Sequence, residues 1–269
     1  MITGFLHPGA MGATIAAACH GRRVWASEGR AAATANRATA AASHDVGTVA
    51  ALVAEADTIV SVCPPGAALD VAHQVADLGF DGLYVDANAV SPATTREIGR
   101  PFAHFVDGGI IGPPVTQAGT TRLYLAGDEA SEVAERWAGS ALEVRIIDAE
   151  PGAASAVKMG FAAWTKGTSA LLLAVRAYAE AEGVGADLIG EWQTSMPDLV
   201  ARSDQTAAGV GPKAWRFAGE MEEIADSFAA VALPAGFHQA AAHVYESLHT
   251  FKDATPAPSL DDVIDKLLS

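Results

Sequence analysis

Ile2-Thr3-Gly4-Phe5-Leu6-His7-Pro8-Gly9-Ala10-Met11-Gly12 is the stretch that decides the fold. Ile2–Leu6 reads as a short apolar strand, His7-Pro8-Gly9 as a sharp turn, and Ala10–Cys19 as a helix. The same alternation continues outward. Apolar runs predict strands at Arg23–Ala26, Thr58–Val62, Leu83–Asp86, Phe102–Val106, Leu123–Ala126 and Val144–Ile147. Helical patterns lie between them at Arg30–Ala38, Thr48–Glu55, Ala67–Leu78, Pro92–Ile98 and Glu132–Ala138. Strands that alternate with helices predict an α/β domain with a doubly wound parallel sheet of the Rossmann type.

In such a sheet the first strand–turn–helix junction is where backbone N–H groups and the positive end of a helix meet a pyrophosphate. Gly9 lets the backbone come close to phosphates, and Gly12 lets the helix lie against the strand. His7 stands where the usual G-x-G-x-x-G has its first glycine, so the fingerprint is partial. His7, Pro8, Gly9, Ala10, Met11 and Gly12 are the expected cofactor contacts of this turn. At the tip of the second strand a carboxylate selects NAD, through the ribose 2′-OH, and a cation accommodates the 2′-phosphate of NADP. Val24-Trp25-Ala26-Ser27-Glu28-Gly29-Arg30 offers both. Ser27 and Arg30 fit a 2′-phosphate, which makes NADP the expected cofactor. Glu28 is the argument for NAD, and a solvated Arg30 at a helix start is the plain alternative.

After Pro151-Gly152 the pattern changes. Ala153–Glu182 contains no proline and reads as one helix, ~45 Å long at ~1.5 Å per residue. Helical patterns follow at Asp187–Thr194, Pro212–Phe228, Gly236–Phe251 and Ser259–Leu268, and no strand is predicted beyond Ile147. The expected organisation is a dinucleotide-binding domain over 1–150 and an all-α domain over 151–269. An Ala-rich helix of that length has more surface than one compact domain can cover. A homodimer whose active-site cleft is finished by the partner chain is therefore expected.

Composition narrows the function. Lys plus Arg number 17 against 32 Asp plus Glu, a formal charge of −15, which argues against nucleic acid and against an anionic membrane surface. No apolar run reaches the ~20 residues needed to span a bilayer, and the N-terminus lacks the charged start of a signal peptide. Cys19 and Cys63 cannot make a disulfide framework. The expectation is a cytoplasmic protein with a small-molecule substrate. His238, His243 and His249 are not spaced as an i, i+4 pair, so no metal site is expected.

Three further segments carry a resemblance. They are Val85-Asp86-Ala87-Asn88-Ala89-Val90-Ser91-Pro92, Asp107-Gly108-Gly109-Ile110-Ile111-Gly112-Pro113-Pro114, and Gly152-Ala153-Ala154-Ser155-Ala156-Val157-Lys158. With the turn, they make the chain resemble the β-hydroxyacid dehydrogenase superfamily, which includes 3-hydroxyisobutyrate and 6-phosphogluconate dehydrogenases and imine reductases. It is most similar to a 6-phosphogluconate-dehydrogenase-like branch that reads H-P-G in the turn and carries a helical C-terminal domain of uncertain function. The resemblance places the catalytic lysine on Lys158, the substrate-gripping serine on Asn88, and the substrate loop at Gly112. It also places the loop near the cofactor ribose on Cys63, Pro64 and Pro65. The chain departs from the pattern at Asn88, at Ile111, where a serine is usual, and at Ala162, where an asparagine is usual.

Reduction of a carbonyl leaves charge on oxygen, and a lysine beside that oxygen can supply the proton. Lys158 near the start of an apolar helix suits that role; the alternative is a lysine snorkelling from a helix edge. Asn88 at a strand end can serve substrate and cofactor, or cap the helix near Ser91. Cys63 reads as a small buried hydrophobe rather than a nucleophile. Lys166 lies about 80° round the helix from Lys158 and could reach the same cleft as a substrate contact, or stand solvated before Gly167. Three functions follow: an NADP-dependent oxidoreductase interconverting a carbonyl and an alcohol, an imine reductase, and a non-catalytic NADP-binding sensor.

Overall fold

The computed structural model describes all residues from Met1 to Ser269 and divides into two compact units, Met1–Met159 and Gly160–Ser269. The first holds eight strands: β1 (Ile2–Leu6), β2 (Arg22–Trp25), β3 (His44–Asp45), β4 (Thr58–Ser61), β5 (Leu83–Asp86), β6 (His104–Ile111), β7 (Arg122–Ala126) and β8 (Glu143–Ile147). Its helices are α1 (Ala10–Ala18), α2 (Ala32–Ala40), α3 (Val49–Glu55), α4 (Ala68–Asp77), α5 (Pro92–Gly99) and α6 (Ala130–Ala134). All strands join one sheet in the order β3-β2-β1-β4-β5-β6-β7-β8.

Side chains alternate along each strand, and here both faces are covered, so neighbouring residues enter two different cores. Phe5, Val60, Val85 and Val106 belong to one core with Ile15, Leu125 and Trp137. Leu6, Ile59, Tyr84 and Phe105 belong to the other with Leu52, Ile98 and Phe102. The absence of a side chain at Gly4 sets how closely α3 approaches the sheet: a Cβ there would lie 2.7 Å from Leu52 Cδ2.

The sheet differs from the expected parallel one at β7, which runs antiparallel to β6, while β8 is parallel to β7. The segment 112–121 between β6 and β7 contains no helix, and a parallel return needs a crossover of a dozen residues or more. β6 also runs five residues beyond its predicted end at Val106. Gly108 and Gly109 are not breakers there. They are positions where neighbouring backbone presses on the strand, with Asp86 O and Ala154 O at 3.0 and 2.5 Å from where a Cβ would stand. The two-residue β3 had no signal to find.

The second unit is helical: the greater part of α7 (Ala153–Ala181), then α8 (Gly185–Ser195), α9 (Asp198–Val210), α10 (Ala214–Ala230), α11 (Gly236–Ser247) and α12 (Leu260–Leu268). Met221, Ile224, Tyr245, Leu248 and Val263 are its fully buried anchors. α12 starts in a capping box, with Ser259 and Asp262 satisfying each other's backbone N–H. α9 was absent from the sequence reading because its buried face is Ser203, Thr206, Ala207 and Val210, small residues that leave almost no apolar period. The units part after Met159 rather than at the expected Glu150, because the first turns of α7 are fastened to β6. No helix is long and apolar enough to cross a membrane.

Candidate functional site

The sheet's connections reverse direction between β1 and β4, the place where open α/β sheets leave a crevice at their carboxyl ends. Register makes that edge a straight row: Leu6 pairs with Ser61, Ser61 with Asp86, and Asp86 with Asp107. His7, Cys63, Asn88 and Gly109 therefore emerge along one rim.

At the β1 end, His7 takes a left-handed backbone conformation (φ 63°), and its carbonyl accepts a 2.6 Å hydrogen bond from Gly9 N–H. Pro8 is buried, and Ala10 and Met11 open the first turn of α1. Gly9 is the N-cap of α1, and no side chain caps it and no acid stands in its first turn. The helix thus offers free N–H groups and the positive end of its dipole. The two glycines of the turn differ. A Cβ at Gly12 would meet His7 O at 3.1 Å and Val62 Cβ at 3.4 Å, whereas at Gly9 the nearest atom is His7 O at 3.9 Å. Gly12 is filled by helix–strand packing, and Gly9 faces open space of the kind a phosphate needs.

Burial, and to a lesser extent the Arg30 charge, hold the His7 imidazole down to about 4, so the ring is neutral at pH 7. Arg30 closes the turn after β2, its N–H on Ser27 O at 3.0 Å, and α2 begins only at Ala32. The expected helix-start arginine is therefore a turn residue whose charge acts on both His7 and Cys63. Glu28 does not share that direction. Its Oε2 accepts from Val49 N–H at 3.3 Å, at the start of α3. Ser27 is tied through its N–H to Asp45 Oδ1 at 3.2 Å.

Next along the rim, Asn88 is 3% exposed, and its amide is occupied inside the protein. Oδ1 accepts from Cys63 N–H at 2.6 Å, while Nδ2 donates to Ser61 Oγ at 3.1 Å and to Asp86 Oδ1. Asn88 thus fixes the loop Cys63-Pro64-Pro65, which turns into a short 3-10 segment at Pro65–Ala67. Helix capping falls to Ser91, whose Oγ accepts from Thr94 N–H. Burial pushes the Cys63 thiol up to about 11, which removes thiolate chemistry there.

Beyond Asn88 the first turns of α7 meet β6. Asp107, fully buried, accepts from Gly152 N–H at 2.8 Å, from Ser155 N–H at 3.0 Å and from Ser155 Oγ at 2.6 Å. Burial raises its carboxyl above the usual range, against the pull of those hydrogen bonds. The Ser155 hydroxyl also meets Thr95 Oγ1 at 2.7 Å. A carboxylate on the positive end of α7 caps the helix that carries Lys158. With Ala154 O and Lys158 Cβ 2.5 and 3.3 Å from a Cβ at Gly109, the helix lies directly on the strand, and half-buried Lys158 stands at the sheet edge. The capping role of Asp107 was missed in the sequence; a lone carboxylate ending a buried apolar run was its signal.

Gly112 (φ 129°) ends β6 against the backbone of Thr120 and Thr121. The loop it opens is strapped to α1, Val115 N–H donating to Thr14 Oγ1 at 2.9 Å. Thr14 is a second residue that sequence reasoning passed over. Lys166 is engaged within the helical unit: its Nζ is 2.5 Å from Glu220 Oε2 and 4.9 Å from the Phe217 ring centroid. His238 is buried between Phe228 and Phe237, with ring centroids at 4.2 and 5.4 Å.

Known proteins share this fold. A family described as a domain of unknown function (DUF1932) matches residues 179–248. An uncharacterized 28.5 kDa protein from Methanothermus fervidus is 31% identical over 142 residues, 51% of this chain and 54% of that protein, so the chain spans about half the length of the curated relative it matches. A conserved protein of unknown function, solved and described as structurally similar to 3-hydroxyacid dehydrogenases, is 26% identical with a TM-score of 0.69, covering 93% of this chain and 98% of that one. Mycobacterium tuberculosis 3-hydroxyisobutyrate dehydrogenase, solved with L-serine, gives 0.70 at 19% identity over 100% and 99% of the two chains. A reductive aminase from Aspergillus terreus, in complex with NADPH, cyclohexanone and allyl amine, gives 0.55 at 16% identity over 98% of each. The likeness inferred from the motifs is borne out: the chain has the fold of the 3-hydroxyacid dehydrogenases.

Proposed function

We propose, from a chain with the 3-hydroxyacid dehydrogenase fold, that this protein is a nicotinamide-dependent oxidoreductase acting on a small carbonyl or hydroxy compound. NADP is the coenzyme the rim suits better. Gly9 and the uncapped start of α1 would hold the pyrophosphate. Arg30, with Glu28 drawn away to α3, would meet a 2′-phosphate. Once bound, the nicotinamide supplies or accepts the hydride.

The protein's own part is proton management and positioning. The observation that carries the reading is the seat of Lys158. Asp107 caps its helix, and Gly109 lets that helix rest on β6 with Lys158 Cβ directly over the strand, beside the rim where a coenzyme ring would lie. There Lys158 Nζ gives a proton to the substrate oxygen as charge develops on it, and takes it back in the reverse direction. Asn88 acts as a positioning residue, holding Cys63 and Pro64 in place through its internal hydrogen bonds. Lys166 is assigned to packing of the helical unit. The test is Lys158→Met: NADPH binding persists while turnover falls by roughly 10²–10⁴-fold, the usual value of a positioned acid–base group. Undiminished turnover overturns the assignment.

A C=N substrate is the second reading. It is favoured by Ile111 and Ala162, apolar where the resemblance implies polar substrate partners, and by the fold shared with a reductive aminase. A panel of cyclic imines against aldehydes and hydroxy acids separates the two.

The working form we propose is a cytoplasmic homodimer. Phe161, Trp164, Leu171 and Tyr178 form an exposed stripe along α7, Trp164 at 70% and Tyr178 at 65% exposure. Their spacing follows the 3.5-residue repeat with which helices pack on one another. A solution mass of a single chain at micromolar concentration contradicts the dimer.

A further inference from the structure

Resting on the reading that a dinucleotide binds at the carboxyl edge of the sheet, we propose that Thr14 is a positioning residue: its hydroxyl straps the loop after β6 to α1, and the strapped loop covers the nicotinamide half of the coenzyme. Residues 112–119 are exposed except for half-buried Val115. Three hydrogen bonds of this segment return to its own end. Pro113 O accepts from Thr121 Oγ1 at 2.5 Å, Gln117 O from Thr120 Oγ1 at 2.7 Å, and Gly119 O from the Arg122 guanidinium at 3.4 Å. Val115 is different. Its side chain packs on the core that holds Ile15 and Ala16 of α1, and its N–H donates to Thr14 Oγ1 at 2.9 Å, across 101 residues of sequence. The Thr14 hydroxyl works in both directions, donating its proton to Met11 O at 2.9 Å while it accepts from Val115. Serine or threonine can do this, and an apolar side chain of the same shape cannot.

Topology says what the strap is for. In a doubly wound sheet the adenosine ribose lies at the tip of the second strand, and the rest of a dinucleotide crosses the switch point to the other half of the sheet. Here the switch point is between β1 and β4, so the nicotinamide half is directed over the ends of β4, β5 and β6. The loop leaves β6 at that same edge and is fixed in its middle to α1. Pro114 shares a cavity of about 350 Å³ with Ala10 and Thr14, which brings the loop alongside the first residue of α1. It is thus anchored to a strand on one side of the nicotinamide half and to the pyrophosphate helix on the other. A loop held in place beforehand adds no ordering cost when the ligand arrives. Released from Thr14, it would have to be ordered at the expense of affinity, and only for ligands that reach beneath it.

The experiment compares a whole coenzyme with its adenosine half. The full-length parent, Thr14→Val and Thr14→Ser are titrated calorimetrically with NADPH and with adenosine 2′,5′-bisphosphate, or with NADH and AMP if the parent binds NADH more tightly. Thr14→Val should lose about 3- to 10-fold in affinity for the whole coenzyme, the scale of one net hydrogen bond, and keep parental affinity for the adenosine fragment. Thr14→Ser, which retains the hydroxyl, should bind both as the parent does. Equal loss for coenzyme and fragment means that Thr14 merely braces α1, and no loss for either means that the strap does not matter to the ligand; each overturns the proposal. A second measurement needs no variant. Hydrogen exchange of residues 112–121 in the parent should slow when the coenzyme is added and stay unchanged with the fragment. Exchange that the coenzyme leaves unaltered also overturns the cover. A parent chain that binds neither coenzyme nor fragment overturns the dinucleotide reading itself, and the role of Thr14 with it.

Discussion

Lys158 and Lys166 stand on one helix, in chemically similar Ala-rich surroundings, and the structure gives them opposite settings. Around Lys166 every feature is consumed by packing. Glu220 neutralises the ammonium at 2.5 Å, Phe217 lies beneath it, and the Tyr245 hydroxyl donates to its main-chain carbonyl at 2.6 Å. Around Lys158 the backbone is what is held, by Asp107 at the helix start and by Gly109 beneath it. A lysine paired in a half-dry pocket braces a fold, whereas Lys158 is set apart by the capped helix start that carries it. Sequence spacing does not separate the two cases.

The contrast can be broken by substitution. The largest effect expected is the loss of turnover in Lys158→Met already described, set against Lys166→Met, where turnover should stay within a few-fold. Lys166→Met should instead destabilise the fold by roughly 2–4 kcal/mol, since Glu220 is left without its partner at 13% exposure. Adding Glu220→Leu should restore most of that stability, read by denaturant unfolding; no recovery would mean the ion pair is not what Lys166 provides.

Gly109→Ala comes next. The added methyl falls on Ala154 O and Lys158 Cβ, so α7 must lift from β6. The expected cost is about 1–3 kcal/mol of overpacking, with a fall in turnover larger than any fall in NADPH affinity. If turnover and affinity fall equally, Gly109 serves the fold and not the seating of Lys158.

The smallest effect concerns acid. His7 is held near 4 in the folded chain, against an ordinary value of about 6.5. Between these values the unfolded chain binds a proton that the folded chain refuses. The stability contributed by neutral His7 is therefore complete above pH 6.5 and is lost as pH falls from 6.5 towards 4. His7→Gly should flatten that part of a melting-temperature profile, and an unchanged slope would show that other groups set it.

Much of the α/β unit was legible because its signals are local. Ile2–Leu6 and Leu83–Asp86 were bounded correctly from apolar runs between turn residues, and the glycine turn located α1. The candidate site was legible in part: His7, Gly9, Asn88 and Lys158 were named from motif positions, and they emerge from strands and a helix at one edge. What was hidden depended on partners far along the chain. Nothing beside Asp107 in sequence says that Gly152 and Ser155 will present their N–H groups to it. Asn88 read as a ligand contact because Ser61 and Cys63, its internal partners, come from another strand. Gly108 and Gly109 read as a strand end for the same reason, since Asp86 and Ala154 close over them only in the folded chain.

From its amino acids alone this protein is an α/β sheet of alternating strands and helices with a glycine-bearing turn at its head and a long helix after it. Periodicity and turn chemistry act over a few residues and need no fold to be read. Tertiary structure decided that β7 runs backwards, that α7 is pinned to β6 by Asp107, and that Lys166 is paired with Glu220. Those outcomes are set by which surfaces meet, and close packing and hydrogen-bond pairing between distant segments are properties of the folded chain.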